Sequence, residues 1–399
     1  MNYVDSKSSA VILSPRAIAF NHGTGAQLMY LLDEYRAVAS INYGFYEKGI
    51  DDRAGFLESP WHRYWPWALR GRGFIAKAND YLPLAVWRNN RLTKCGRGLL
   101  RRMLNAQSNT HCVAVIHDNT CAKRINSIFD AIELPYKVVL YDFMHLDTPS
   151  PSNFPELARC VANAMSVYAI SEPLREAALS LGANQVESIS FYRPRQVKIG
   201  SGTLPSGAGQ GFRILVVADA KPDAFDELLL AVTVFRREFP DQRVTVEVVG
   251  NAKTLPLLNK RHNVDVRFHG FVSSSRRDEI AAACDIAFLA GSTLSPQDCP
   301  LVKYSIPSKL GDYAAFGLPV VARLSARSAA EVFIREEANR FILVATVADE
   351  VLQSLRRLIN DRNLVSQMRK AALGFADDRL YLPNATTDAL MMNGTPPTK

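Results

Sequence analysis

The sequence predicts an α/β protein made of two Rossmann-like domains that face each other across a cleft. Three observations lead to this prediction. Short apolar, β-branched runs alternate with helical patterns in both halves of the chain, as in parallel sheets covered by helices. A stretch rich in glycine, residues 196–211, separates the halves. The 399 residues are enough for two domains of ordinary size.

We expect an N-terminal domain over 1–195, a linker over 196–211, a C-terminal domain over 212–375, and a tail over 376–399 that packs back on the first domain. In the first half the predicted strands are Ala10–Leu13, Val113–His117, Val138–Tyr141 and Val167–Ile170, and the predicted helices are Ala26–Tyr35, Phe154–Met165 and Glu172–Leu181. In the second half the predicted strands are Phe212–Ala218, Val244–Val249, Val264–Phe268, Ile286–Leu289 and Pro319–Ala322, and the predicted helices are Ala224–Glu238, Arg276–Ala283, Ser308–Phe316 and Val351–Phe375. A ligand is expected in the cleft between the halves.

The composition argues against several classes of protein. With 48% hydrophobic and 22% charged residues the chain is expected to be globular, not disordered. No run approaches the roughly 18 apolar residues that span a bilayer. Met1–Ser9 lacks the basic and apolar regions of a secretory signal. The six cysteines form no C-x-x-C pair, so we expect free thiols and neither a zinc site nor a redox motif.

The most informative pattern is the short helix predicted over Ser308–Phe316. Ser308 follows Pro307 and is a favourable N-cap, and Gly317 is expected to end the helix. The N–H groups of a helix start, with the charge of Lys309, are suited to a diphosphate. Asp312 could accept hydrogen bonds from ribose hydroxyls. An ordinary capped helix with a surface pair between Lys309 and Asp312 explains the same residues.

This stretch resembles the motif P-S-K-x-x-E-Y-x-A-x-G-x-P-V-V of the retaining family 4 glycosyltransferases, members of glycosyl transferases group 1 with the GT-B fold. The resemblance continues in Ala169–Arg175, Asn251, Arg267–Val272 and Glu279–Leu289. It implies that Pro307, Ser308 and Lys309 belong to the donor site and that Asp312 binds the ribose of the nucleotide. Tyr304 stands where many members carry a second acid that contacts the sugar.

The resemblance also implies a lysine after the first strand of the C-terminal domain, where it neutralises the diphosphate. Lys221 matches that lysine, whereas Asp219 occupies the place of the arginine that accompanies it in relatives. A solvated loop lysine is the alternative interpretation of Lys221.

The N-terminal half has a glycine-bearing loop at Gly23, Thr24 and Gly25. A dinucleotide fingerprint would need a third glycine, so NAD binding is not expected. The resemblance implies a loop that faces the reacting sugar and the diphosphate. A plain loop before a helix is the alternative.

His117 and Asp118 close a predicted strand of the N-terminal half, where relatives have a histidine that faces sugar and acceptor. The resemblance implies retention, with the departing phosphate taking the acceptor's proton, so His117 would position groups more than abstract protons. We predict His117 and Asp118 as catalytic residues. His145 competes for this role, and a structural histidine is the other interpretation.

Residues 59–105 concentrate positive charge. They hold ten basic residues against one acid, whereas the net charge of the whole chain is +8. Trp61, Trp65 and Trp67 lie in this segment. Tryptophan beside basic residues is typical of an anionic membrane surface. Core tryptophans with a solvated basic face are the alternative, and nucleic-acid binding is not expected because no recognition motif accompanies the charge.

The sequence therefore predicts a glycosyltransferase that moves a hexose-type sugar from a UDP- or GDP-sugar to a glycan, lipid-linked or polysaccharide acceptor, as in cell-envelope synthesis. No metal and no cofactor apart from the donor are expected. The predicted location is the cytoplasm, with peripheral association at the inner face of the cell membrane. A non-catalytic GT-B subunit that binds a sugar nucleotide or supports a partner enzyme is the alternative. A GT-B epimerase is a further one.

Overall fold

A computed structural model describes residues 9–14, 39–42, 110–116, 119–130, 135–141, 149–189, 211–217, 221–250 and 255–380. The chain divides into two compact units, with the division at residue 190. The predicted domain boundaries 195, 211 and 375 remain predictions, and most of the predicted linker and tail lies outside the described residues. Within the described ranges, no helix is long and apolar enough to cross a membrane.

The first unit is built on a parallel sheet with helices between its later strands. The described strands pair in the order β2-β1-β3-β4-β5-β6. These are β1 (Ser9–Ser14), β2 (Ala39–Asn42), β3 (Thr110–Ile116), β4 (Tyr136–Leu140), β5 (Ser166–Ala169) and β6 (Val186–Ser188). The described helices of this unit are α1 (Asn119–Phe129), α2 (Pro155–Ala162) and α3 (Glu172–Ser180). The middle strands are fully buried, which explains why they appear in the sequence as continuous apolar runs.

The second unit repeats this construction with a complete doubly wound sheet. Its strands are β7 (Phe212–Val217), β8 (Val244–Val249), β9 (Asp265–Gly270), β10 (Ile286–Ala290), β11 (Val320–Arg323) and β12 (Ile342–Ala345). Its helices are α4 (Pro222–Glu238), α5 (Leu255–His262), α6 (Ser274–Ala282), α7 (Pro300–Tyr304), α8 (Lys309–Ala315), α9 (Ala329–Phe333), α10 (Ala348–Asn360) and α11 (Arg362–Phe375). Two π-helices, Ile334–Ala338 and Ala376–Leu380, follow α9 and α11.

The strand order of the second sheet, β12-β11-β10-β7-β8-β9, reverses direction between β7 and β10. All its strands are parallel, so their carboxyl ends meet at one edge. In doubly wound sheets ligands bind at the carboxyl edge, at the point where the order reverses. In this unit that point lies at the ends of β7 and β10.

The opposite edge of the second sheet is held together by a buried carboxylate. Asp285, just before β10, is fully buried and accepts hydrogen bonds from the Arg213 N–H at 2.8 Å and from Arg362 Nη1 at 2.8 Å. Arg369 of α11 donates to the carbonyls of Cys284 and Asp285 at 3.2 and 3.3 Å. Helix α11 is therefore tied to the start of β10 by two guanidinium groups.

The predicted elements that lie in described residues are present, most with bounds shifted by one to three residues. One prediction was wrong: the single helix Val351–Phe375 is two helices, α10 and α11, separated at Asp361. Asp361 leaves the helical conformation (φ −121°, ψ 88°), and its carboxylate accepts the Leu364 N–H at 2.8 Å. This side chain caps the second helix, which physically explains the break. The predicted helix Ala26–Tyr35 lies outside the described residues.

Candidate functional site

Lys221 lies at the carboxyl edge of the second sheet, where the strand order reverses. It is the N-cap residue of α4, with an extended backbone, and Pro222 follows at the first helical position. Its N–H donates to the carbonyl of Ala290, the last residue of β10, at 3.2 Å. The side chain is exposed. The backbone of Lys221, the predicted diphosphate-binding lysine, is therefore held by the end of β10, although β7 is the strand that precedes it in sequence.

Helix α8, which carries Lys309 and Asp312, is fixed to the same point by Tyr313. The buried hydroxyl of Tyr313 accepts the N–H of Val217, at the end of β7, at 3.1 Å. It donates to the carbonyl of Phe288 in β10 at 3.3 Å. Burial raises the pKa of this hydroxyl, so it remains a donor at physiological pH. A single side chain thus joins α8 to both strands of the reversal point.

The start of α8 differs from the prediction. Ser308 does not cap the helix with its side chain, because its own backbone is already helical (φ −57°, ψ −22°), whereas a capping residue needs an extended one. Tight turns replace the cap: the Leu310 N–H donates to the Pro307 carbonyl and the Gly311 N–H to the Ser308 carbonyl, both at 3.1 Å. The side chains of Lys309 and Asp312 are half-buried, one turn apart on α8.

The end of α8 agrees with the prediction. Gly317 has a left-handed backbone (φ 64°) and its N–H donates to the Ala314 carbonyl at 2.9 Å. The Leu318 N–H donates to the Tyr313 carbonyl at 2.9 Å, which completes a Schellman motif. Leu310, Tyr313 and Ala314 form the apolar face of the helix and are buried.

Tyr304, which stands where an acid occurs in many relatives, is part of the core. It ends α7 with only 1% of its surface exposed, and Lys303 Nζ lies 5.0 Å from the centre of its ring. The side chain is therefore not exposed at the surface of the unit. The residue type was evident from the sequence, but its burial was not.

Sequence reasoning missed a further basic residue at this edge, Arg323, the last residue of β11. Its Nη2 donates to Oε1 of Glu227 on α4 at 3.1 Å, and its Nε also binds this carboxylate. Its carbonyl accepts the N–H of Gly291, the residue after β10, at 3.0 Å. The signal that could have revealed it is a charged residue at the end of a buried strand, which is rare without a partner.

Several predicted residues lie outside the described residues: Gly23, Thr24, Gly25, His117, Asp118, the competitor His145, and the basic segment 59–105 with Trp61, Trp65 and Trp67. Strand β3 ends at Ile116, directly before His117. The roles of the residues outside the described ranges remain predictions.

The second unit also has a cavity of about 340 Å³ that contains none of the predicted site residues. It lies along β12, between α10 and the first π-helix, and is lined by Ile334, Arg335, Asn339, Ile342, Leu343, Val344, Glu350, Gln353, Ser354 and Arg357. The predicted donor site and this cavity are therefore different places.

Known proteins resemble the chain in two ways. Residues 211–361, most of the second unit, match the model of the family described as Glycosyl transferases group 1. A comparison with curated proteins found no match. The matched residues include Lys221, Pro307, Ser308, Lys309 and Asp312.

Solved structures are similar over nearly the whole chain. HepE from Anabaena, in complex with UDP-glucose, is 16% identical with a TM-score of 0.61, covering 93% of this chain and 95% of that one. Sucrose-phosphate synthase from Thermosynechococcus elongatus is 12% identical with a TM-score of 0.62, covering 95% and 96%. A trehalose 6-phosphate synthase from Burkholderia multivorans is 12% identical with a TM-score of 0.57, covering 94% and 95%. These are GT-B structures, so the predicted fold class, with two parallel α/β sheets, is confirmed.

Proposed function

We propose that this GT-B-fold chain is a glycosyltransferase whose second unit holds a nucleotide-diphosphate sugar, UDP- or GDP-linked, and transfers a hexose-type sugar with retention. The acceptor in this proposal is a glycan, a lipid-linked sugar or a polysaccharide. The match of residues 211–361 to Glycosyl transferases group 1 supports the reaction class. The solved complex of HepE with UDP-glucose supports the donor class by analogy.

One observation carries the proposal: Lys221 and α8 are both anchored where the strand order of the second sheet reverses. The Lys221 N–H is bonded to the end of β10, and Tyr313 bonds α8 to the end of β7 and to Phe288 in the middle of β10. An exposed ammonium suits a diphosphate, and a half-buried carboxylate one turn into α8, Asp312, suits the two hydroxyls of a ribose. The diphosphate and the ribose are the two groups that a site for a nucleoside diphosphate has to bind.

In the proposed reaction the acceptor hydroxyl attacks the anomeric carbon from the face of the leaving group. The bond from the anomeric carbon to the phosphate oxygen breaks, a bond to the acceptor oxygen forms, and the acceptor's proton moves to the departing diphosphate. Lys221 and Lys309 would stabilise the charge that develops there. His117, Asp118 and the loop Gly23–Gly25 would position the acceptor and the sugar, and no metal is required.

The alternative is a non-catalytic subunit that binds a sugar nucleotide. One observation favours it: Tyr304 is buried where an acid was expected, so no carboxylate at that position contacts the sugar. A hydrolysis assay across UDP- and GDP-sugars separates the two functions. Slow release of free sugar supports the enzyme, whereas tight nucleotide binding without turnover supports the subunit.

The donor site itself is tested by calorimetry with UDP and GDP. We expect one of them to bind the wild type and Asp312→Ala to weaken that binding at least tenfold, because a hydrogen bond to a charged group contributes about 1.5–3 kcal/mol. The matched control is Asp241→Ala, an exposed aspartate before β8 and therefore at the opposite edge of the sheet. Unchanged affinity in Asp312→Ala would refute the assignment of the ribose-binding residue.

We further propose peripheral association with the inner, cytoplasmic face of the cell membrane through the basic, tryptophan-bearing segment 59–105. The support is its composition. Pelleting with liposomes that contain or lack anionic lipid tests it, and equal, negligible binding to both would contradict it.

A further inference from the structure

Arg323 is held in a way that keeps its charge from a ligand. Its side chain is 9% exposed, and its Nε and Nη2 both bind the Glu227 carboxylate while Nη1 donates to the Leu324 carbonyl at 2.8 Å. All three nitrogens of the guanidinium are therefore engaged within the protein. Any effect of Arg323 on a bound nucleotide has to pass through another residue.

That residue is Lys221, because both partners of Arg323 connect to it. Glu227 lies on α4, six residues after Lys221, so fixing Glu227 fixes the first turns of the helix that Lys221 begins. The Arg323 carbonyl accepts the Gly291 N–H at 3.0 Å, and the neighbouring Ala290 carbonyl accepts the Lys221 N–H at 3.2 Å. The contacts form a closed ring from β11 through α4 to β10 and back.

The ring has little freedom to rearrange at Gly291. A side chain there would meet Leu324 Cδ2 at 2.5 Å and the Arg323 carbonyl at 2.8 Å, so the ends of β10 and β11 are in contact without intervening atoms. Losing one partner of a shielded ion pair leaves the other charge uncompensated and forces local movement. Because the strand ends are in contact at Gly291, we expect this movement at the start of α4.

We propose that the Arg323–Glu227 pair is a positioning pair that sets Lys221 for the diphosphate. The inference rests on the proposed function, in which Lys221 contacts that group. Arg323 acts from inside the protein and does not touch the ligand, so it does not supply the charge of the arginine that accompanies this lysine in relatives.

The test measures affinity for UDP or GDP, whichever binds the wild type, by calorimetry with the full chain. We expect Arg323→Gln and Glu227→Gln to weaken binding on the order of tenfold, and Arg323→Lys, which keeps the charge, to recover part of the loss. The matched control is Arg356→Gln. Arg356 bridges α10 to Glu238 at the far end of α4, with Nε 2.9 Å from Oε2, so this variant removes a bridge to the same helix without affecting the ring. Its affinity should equal that of the wild type.

The double variant Lys221→Ala/Arg323→Gln shows whether the pair acts through Lys221. We expect the double variant to bind the nucleotide no more weakly than Lys221→Ala alone, because both substitutions should remove the same contact of Lys221 with the nucleotide. Additive losses would overturn the inference, as would wild-type affinity in a folded Arg323→Gln chain. If Lys221→Ala itself leaves affinity unchanged, both the role of Lys221 in the proposed function and this inference are overturned. If only the Arg323 and Glu227 variants have no effect, the inference alone fails.

Discussion

Removing the hydroxyl of Tyr313 tests whether α8 is held at the sheet edge by this side chain. Tyr313→Phe keeps the ring and its packing but leaves the N–H of the half-buried Val217 without its 3.1 Å acceptor and removes a donor from the Phe288 carbonyl. An unsatisfied buried N–H costs about 1–3 kcal/mol, and the longer 3.3 Å bond contributes little more. We expect a loss of about 2 kcal/mol in the unfolding free energy of the second unit.

Urea titration can assign this loss to one unit. All four tryptophans precede residue 91 in the chain, so their fluorescence follows the first unit, whereas far-UV circular dichroism follows both. Tyr136→Phe is the matched control, because it removes a 2.9 Å bond to the Cys160 carbonyl in the first unit. We expect Tyr313→Phe to lower the transition seen only by circular dichroism and to weaken nucleotide binding several-fold. Tyr136→Phe should lower the fluorescence transition and leave binding intact. A Tyr313→Phe chain with wild-type stability and affinity would refute the reasoning.

Two further predictions concern stability. Gly317 and Gly270 have the same left-handed backbone, which costs alanine about 1–2 kcal/mol, but only at 317 would the new methyl group meet a side chain, Leu373 Cγ at 2.9 Å. Overpacking adds about 1–3 kcal/mol, so Gly317→Ala should lower the urea midpoint more than Gly270→Ala, and equal losses would show that Leu373 yields without cost. Burial lowers the pKa of Lys137 from 10.5 to about 8. Between pH 8 and 10.5 the unfolded chain therefore binds more protons than the folded chain, so the free energy of unfolding should rise with pH in this range. Lys137→Met should remove that slope in fluorescence-monitored titrations and stabilise the first unit at neutral pH by about 1–3 kcal/mol; a slope that persists would contradict this cause.

The sequence predicted the second sheet well because each central strand is buried on both sides. Runs such as Val244–Val249 contain enough β-branched residues to be recognised without structural information. It missed β12, a four-residue edge strand, because so short a run carries little periodicity. It also merged α10 with α11, since neither glycine nor proline marks the boundary at Asp361 and the apolar period continues across it. An aspartate that follows Asn360 was the available signal.

At the candidate site, the sequence identified which residues are present but not how they are held. Asp312 was predicted from its place in the helix and from the family resemblance, and Lys221 from the resemblance alone, whereas the structure supplies their anchors on β10 and Tyr313. Ser308 failed as a cap because the helical turn begins one residue earlier than its type suggested. The partnership of Arg323 with Glu227 joins residues 96 positions apart, a separation at which a local pattern contains no information.

The contacts of the buried Asp285, at the opposite edge of the second sheet, extend beyond the end of the family match. The family match ends at residue 361, after the last strand and α10. Arg362 and Arg369, which hold Asp285 and the start of β10, come after that point. A chain shortened to residue 361 would keep every recognisable part of the nucleotide-binding pattern and yet lose the Arg362 ion pair of a carboxylate that has no access to water. Homology therefore delimits what this unit has in common with other proteins, whereas the contacts that hold the start of β10 extend to a longer polypeptide.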